Sequence, residues 1–139
     1  MKKVDIAYVA GIVDGEGCIG LNINKIGERG SYRIKISVSN TNEWLCQWLY
    51  LSFGGCVSKS QKAGNRKLQW QWFISGNKAL SCLNTIYPYL HIKRAQAEIA
   101  IKYQSNRCHK RGRRQSVRED NVLAEAQYIL MASLNKKGV

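Results

Sequence analysis

Hydrophobic positions change their period at Gly17. Before it, Val4, Ile6, Val9, Ile12 and Val13 recur at helical spacing, while Ala7, Ala10, Gly11 and Asp14 fall at i, i+3, i+4 and i+7. This predicts a helix that is apolar nearly all round, with one face so small that another backbone can approach it. After Gly17, Ile19, Leu21 and Ile23 alternate with Gly20, Asn22 and Asn24, the pattern of a half-buried strand. A turn over Lys25–Gly30 leads to a second strand with Ile34, Ile36 and Val38 inward and Arg33, Lys35, Ser37 and Ser39 outward. Asn40 or Thr41 is placed to cap a helix through Trp44, Leu45, Trp48, Leu49 and Leu51, which ends at Phe53-Gly54-Gly55.

A third strand spans about Cys56–Gln61, and Ala63-Gly64-Asn65 supplies the turn. The fourth, Lys67–Ser75, sends Leu68, Trp70, Trp72 and Ile74 inward and Lys67, Gln69, Gln71 and Phe73 outward. Gly76-Asn77 precedes a helix carrying Leu80, Leu83 and Ile86 that Pro88 ends, and another helix runs from near Lys93 to about Gln104. Between Asn106 and Arg118 the chain holds Arg107, Lys110, Arg111, Arg113, Arg114 and Arg118 and no acid, which reads as a basic loop. Glu119–Leu134 closes with an amphipathic helix, and Lys136–Val139 is expected to fray. The order is an α+β pattern, four antiparallel strands in a twisted sheet backed by helices.

At 139 residues the chain fits one domain, large enough to bury about two-thirds of its unfolded surface. Its 22 Lys and Arg against 9 Asp and Glu give a net charge of +13, which favours a polyanionic partner through phosphate neutralisation. Between Glu43 and Glu98 there is no acid, although Lys59, Lys62, Arg66, Lys67, Lys78, Lys93 and Arg94 lie there. Cys18, Cys46, Cys56, Cys82 and Cys108 lack the paired spacing of a zinc site and read as reduced core residues. No secretory signal and no run of ~18 apolar residues is seen. The expectation is an intracellular, reducing location, in cytoplasm, nucleoid or organelle matrix, with neither a membrane partner nor a small-molecule substrate.

The outward strand positions are the candidate nucleic-acid surface: Asn22, Asn24, Arg33, Lys35, Ser37, Ser58, Ser60, Gln69 and Gln71, with Lys62, Arg66 and Lys67 at the second turn. Asn and Gln match adenine edges, Arg and Lys match guanine, and a two-stranded ribbon fits a major groove. The plainer alternative is a solvated sheet face. Trp44, Trp48, Trp70 and Trp72 fall on apolar faces and read as core, and His91 and His109 have no nucleophile or metal set beside them.

Asp14 and Glu16 sit near a helix C-terminus, at the negative end of the macrodipole, an unfavourable place for acids. The stretch Val9-Ala10-Gly11-Ile12-Val13-Asp14-Gly15-Glu16-Gly17 resembles, position for position, the signature of the LAGLIDADG homing endonucleases. It departs conservatively, with Val9 and Ile12 for Leu, Val13 for Ile, Gly15 for Ala, and Glu16 where the last Asp usually stands. Phe53-Gly54-Gly55, Trp70-x-Trp72 and Tyr89-Leu90-His91-Ile92-Lys93 are similar to family landmarks, so the resemblance extends to about Gln104.

The resemblance implies a half-domain of order αββαββα, with residues 1–105 as the endonuclease core and 106–139 as a basic loop and helix packed on or extending it. It implies a site-specific endonuclease that hydrolyses double-stranded DNA at a long, nearly palindromic target and leaves 3′ overhangs. Glu16 would be a metal ligand, with the Gly15 carbonyl as a second. The expected cation is Mg²⁺, with Mn²⁺ or Ca²⁺ able to occupy the site. Lys93 and Asn40 map onto the family's outer catalytic shell, although Lys93 also reads as an ordinary helix-start lysine and Asn40 as a helix cap. The basic residue many relatives carry soon after Asn40 has no clear counterpart, leaving Arg66 or Arg33 as substitutes. Asp14 has either a structural or a ligating role. One motif per chain implies a homodimer packed through Ala7, Ala10, Gly11 and Asp14, unless that face packs on the chain's own helices. The alternative function is a non-cleaving binder of the same fold, an intron RNA maturase or a DNA-binding regulator.

Overall fold

The computed structural model describes residues 1–26, 29–60, 68–109 and 117–137, the segments 23–26, 29–31, 107–109 and 117–125 and residue 137 through their backbone alone. Its elements are α1 (Lys3–Glu16), β1 (Gly17–Ile26), β2 (Arg29–Asn40), α2 (Glu43–Phe53), β3 (Cys56–Ser60), β4 (Gln69–Ser75), α3 (Gly76–Ile86), a 3₁₀ turn (Tyr87–Tyr89), α4 (Arg94–His109) and α5 (Val117–Lys137). The strands form one four-stranded antiparallel sheet in the order β1-β2-β4-β3.

Strand alternation decides which face is dry. Ile19, Ile34, Ile36, Val38, Trp72 and Ile74 are buried on one side of the sheet, against Val9 and Val13 of α1, Leu45, Cys46 and Leu49 of α2, and Leu83 and Ile86 of α3. Trp72 lies wholly inside, and its indole N–H donates to the Gly54 carbonyl at 2.8 Å, so burial leaves no polar orphan. The Gly54-Gly55 pair allows this approach. Gly55 has φ 92°, and a Cβ there would stand 2.3 Å from the Phe73 carbonyl oxygen.

α5 lies along β1, the strand at one edge of the sheet. Tyr128 packs its ring on Tyr32 at 5.5 Å, Met131 is buried, and Asn135 Nδ2 donates to the Ile19 carbonyl at 3.0 Å. No helix among the described residues is long and apolar enough to cross a membrane.

Several local expectations need correction. The first hairpin pairs as far as Ile26 with Arg29, so regular pairing consumes most of the expected turn. α2 is capped by Asn42, whose side chain accepts the Trp44 N–H at 3.0 Å, because Asn40 is still in the β2 ladder opposite Trp70. α4 continues to His109 and α5 begins at Val117, so both ends of the expected basic loop are helical, and 110–116 lies outside the described residues. The turn at Ala63-Gly64-Asn65 is also outside them.

Not every cysteine or tryptophan belongs to the core. Cys46 and Cys82 are buried, but Cys18 and Cys56 take outward positions on β1 and β3 and are exposed. Trp72 is buried and Trp48 and Trp70 are half-buried, whereas Trp44 is 60% exposed, because α2 turns Leu45, Cys46 and Leu49 inward instead. Burial pushes the Cys46 thiol above its ordinary pKa and the Cys82 thiol up to about 12, so both carry little thiolate near neutrality. Alkylation of the native protein at pH 8, mapped by mass spectrometry, should modify Cys18 and Cys56 and spare Cys46 and Cys82 until denaturant is added.

Candidate functional site

The C-terminal turn of α1 is where the carboxylates, the sheet and the 91–93 segment meet. Asp14 is nearly buried, and its two oxygens accept the backbone N–H of His91 at 2.8 Å and of Lys93 at 3.0 Å. Lys93 returns the contact: its ammonium donates to the carbonyls of Val13 at 3.0 Å and Asp14 at 2.7 Å. A cation on the last carbonyls of a helix offsets the macrodipole that the two acids face. Asp14 is thereby committed to structure.

Glu16, two residues on, is exposed. Asn40 Nδ2 donates to Glu16 Oε2 at 2.7 Å, and Asn40 Oδ1 accepts the Asn42 N–H at 2.8 Å, which fixes the orientation of the amide. Asn42 then caps α2. A relay from the helix cap through Asn40 to Glu16 therefore holds one oxygen of the carboxylate and leaves Oε1 clear of that bond. Sequence reasoning missed Asn42; its spacing ahead of Glu43 and Trp44 was the available signal.

Among the described residues no three His, Cys, Asp or Glu side chains converge as a metal cluster. One exposed carboxylate at a helix end is an oxygen donor suited to a hard cation of the Mg²⁺ type, which keeps much of its own water. It does not fit a closed structural metal site.

The outward face of the sheet starts at this turn. Strand pairing aligns Asn22 with Arg33, Ser37 with Phe73, and Ser39, Gln71 and Ser58 in one row, with Ser60 opposite Gln69 and Lys35 opposite Ser75. Asn22, Arg33, Ser58, Ser60 and Gln69 are exposed, and Lys35, Ser37 and Gln71 are half-exposed. Asn24 lies in β1 opposite Ser31, its side chain outside those described; Lys62, Arg66 and Lys67 are also outside. Arg33 does not substitute for a basic residue at the carboxylate. It is seven residues back along β2 from Asn40, roughly 23 Å away at strand rise.

The small face of α1 also needs correction. Ala10 is fully buried and Asp14 nearly so, on the arc Val9-Ala10-Val13-Asp14 that packs within the chain against α3, β2 and the 3₁₀ turn. Ala7 and Gly11 are exposed, and with Val4, Tyr8 and Gly15 they form the strip that faces outward. Beside it, Tyr8 packs on Trp48 at 5.6 Å, and Trp48 stacks on Trp44 at 5.9 Å. Val4 is 77% exposed, so this strip is apolar surface without a cover among the described residues.

A family model described as LAGLIDADG endonuclease matches residues 9–111. No curated protein matches the chain in sequence. Among solved structures the fold is similar to the homing endonuclease I-CvuI, in complex with the I-CreI target in 2 mM Mg with the DNA not cleaved: TM-score 0.71 and 21% identity, covering 98% of this chain and 95% of that one. It is similar to the archaeal intron-encoded homing endonuclease I-Vdi141I complexed with DNA, with TM-score 0.63 and 12% identity over 91% of this chain and 98% of the other. The LAGLIDADG homing endonuclease I-GzeII, in complex with its DNA target, gives TM-score 0.67 and 15% identity over 83% of this chain and 40% of its own length.

The Asp14 contacts are testable without any ligand. Asp14→Ala leaves two amides of the 91–93 segment without their acceptor and should destabilise the fold by roughly 2–4 kcal/mol, read as a lower midpoint in chemical denaturation. Asp14→Asn, which keeps one acceptor oxygen, should lie between the two.

Proposed function

The chain belongs to the LAGLIDADG endonuclease family, and from that premise we propose that it is a homodimeric, divalent-metal-dependent homing endonuclease cutting both strands of a long, nearly palindromic duplex. The observation that carries the reading is the hydrogen bond from Asn40 to an exposed Glu16, made where the motif helix gives way to the polar sheet face.

The sheet face binds the duplex. The β1–β2 ribbon pairs over ten positions, or ~33 Å at strand rise, close to one turn of B-DNA at ≈ 34 Å. Glu16 lies at one end of that ribbon. Two copies joined along the exposed strip of α1 bring their Glu16 residues toward the twofold axis and run their ribbons away from it, so the target spans about two helical turns. Asn22, Gln69 and Gln71 suit adenine edges, and Arg33 and Lys35 suit guanine or phosphate.

Glu16 and the Gly15 carbonyl would hold the divalent cation, which supplies water activation and stabilises charge on the leaving 3′ oxygen when bound. Asn40 keeps the Glu16 carboxylate in one orientation. Lys93, its ammonium seated on the Val13 and Asp14 carbonyls just before Glu16, is the cationic group we assign to the outer shell of the site, where it would offset charge on the phosphate. The family resemblance supplies the expected product, 3′ overhangs from cuts across the minor groove.

Glu16→Gln should lower cleavage of a supercoiled plasmid target library in Mg²⁺ by about 10³-fold or more, with duplex affinity unchanged or raised because a negative charge near phosphates is gone. Cutting by the variant at the rate of the parent would remove Glu16 from the mechanism. The dimer has its own test. A Cβ at Gly11 meets nothing within 4 Å in the chain, so Gly11→Leu should fold normally yet sediment with the mass of one chain, while the parent sediments as two.

A further inference from the structure

One row of the outward sheet face is chemically unlike its neighbours. Cys18, Ser37, Phe73 and Cys56 stand in unbroken register across β1, β2, β4 and β3. This row crosses the whole sheet without a charge or an amide side chain. The row on one side carries Lys35, and the row on the other carries Ser39, Gln71 and Ser58. Phe73 is half-exposed and is the one aromatic residue at an outward strand position among the described residues. The core lies on the opposite face, with Trp72 and Ile74 on either side of Phe73 in the chain. Lys35 arches over it from the next row, its ammonium 4.8 Å above the ring centre.

Resting on the DNA-binding reading of this face, we propose that Phe73 is a specificity-determining residue that selects a thymine in each half-site. The thymine C5-methyl is the apolar feature of the major-groove edge, and a phenyl ring is among the groups that contact it well. Within the row, Cys18, Ser37 and Cys56 flank the ring with small side chains, and the long side chain against it is Lys35 from the next row. The ring occupies the alkyl and ammonium end of Lys35 and thereby holds that charge over the neighbouring base step. Cys18 is two residues from Glu16 along β1, and Ser37 three from Asn40 along β2, a rise of about 7–10 Å. The selected thymine therefore belongs to the pairs nearest the cleavage centre and not to the outer end of the half-site.

The test starts from a randomised duplex library enriched on the full chain without divalent metal, followed by resynthesis of the enriched duplex with dU replacing dT one position at a time. At one inner position of the half-site, dU should weaken binding by about fourfold, the factor for one buried methyl group. Phe73→Ala should bind the dT and dU forms equally, Phe73→Leu should retain the preference, and Phe73→Gln should shift enrichment at that position toward adenine. Circular dichroism identifies any variant that fails to fold, and the dT-over-dU preference of the parent remains decisive without it. Indifference of the parent to dU at every inner position, or an unchanged dT preference in folded Phe73→Ala, would overturn the assignment while leaving duplex binding intact. Enrichment of no duplex at all would overturn the DNA-binding reading and the assignment with it.

Discussion

The carboxylate of Asp14 on the amides of His91 and Lys93, answered by the Lys93 ammonium on the carbonyls of Val13 and Asp14, is the contact on which the arrangement depends. It joins points almost eighty residues apart. Without it Asp14 would stand at the negative end of α1 with neither its amide donors nor a cation on the neighbouring carbonyls, and the path from Glu16 into β1 would lose that anchor. Each oxygen of Asp14 is engaged by one of these amides while Glu16 stays exposed, which separates the two acids of the motif into one that builds and one that faces outward.

The division of labour across the sheet follows from the same origin. Because β1 starts directly after Glu16, strand parity is set by a helix end that is itself locked, and odd and even positions cannot exchange faces without moving the carboxylate. The dry side receives Ile19, Ile34, Ile36, Val38 and Trp72. The other side receives short polar and basic groups whose spacing is that of the backbone ladder. A rigid core behind the face means that differences in what it contacts come from side chains alone, one row at a time.

The parity of all four strands was legible in the sequence, because a period of two leaves only two choices and the hydrophobic residues select between them. Helix faces were harder. Ala7 with Gly11 and Ala10 with Asp14 are neighbouring small stripes on α1, and nothing local says which of them meets the chain's own α3 and 3₁₀ turn; burial puts Ala10 and Asp14 inside. Asn40, Thr41 and Asn42 are all chemically able to cap, and the extent of β2 decided among them. The exposure of Cys18 and Cys56 was implicit in the alternation, but composition alone favoured the core. The seat of the Lys93 ammonium was beyond reach, since it depends on how α3 and α4 return the chain to α1. The Glu16–Asn40 pairing was foreshadowed only through family resemblance.

The helix laid along β1 bears on unwanted pairing at the edge of the sheet. An open strand edge is a template for any other strand, and pairing there has no natural end point, so one molecule would recruit the next in an unlimited row. Asn135 occupies an edge carbonyl of β1 and Met131 and Tyr128 fasten the helix that carries it. That border of the sheet is therefore guarded against edge-to-edge pairing, and the guard is the C-terminal helix.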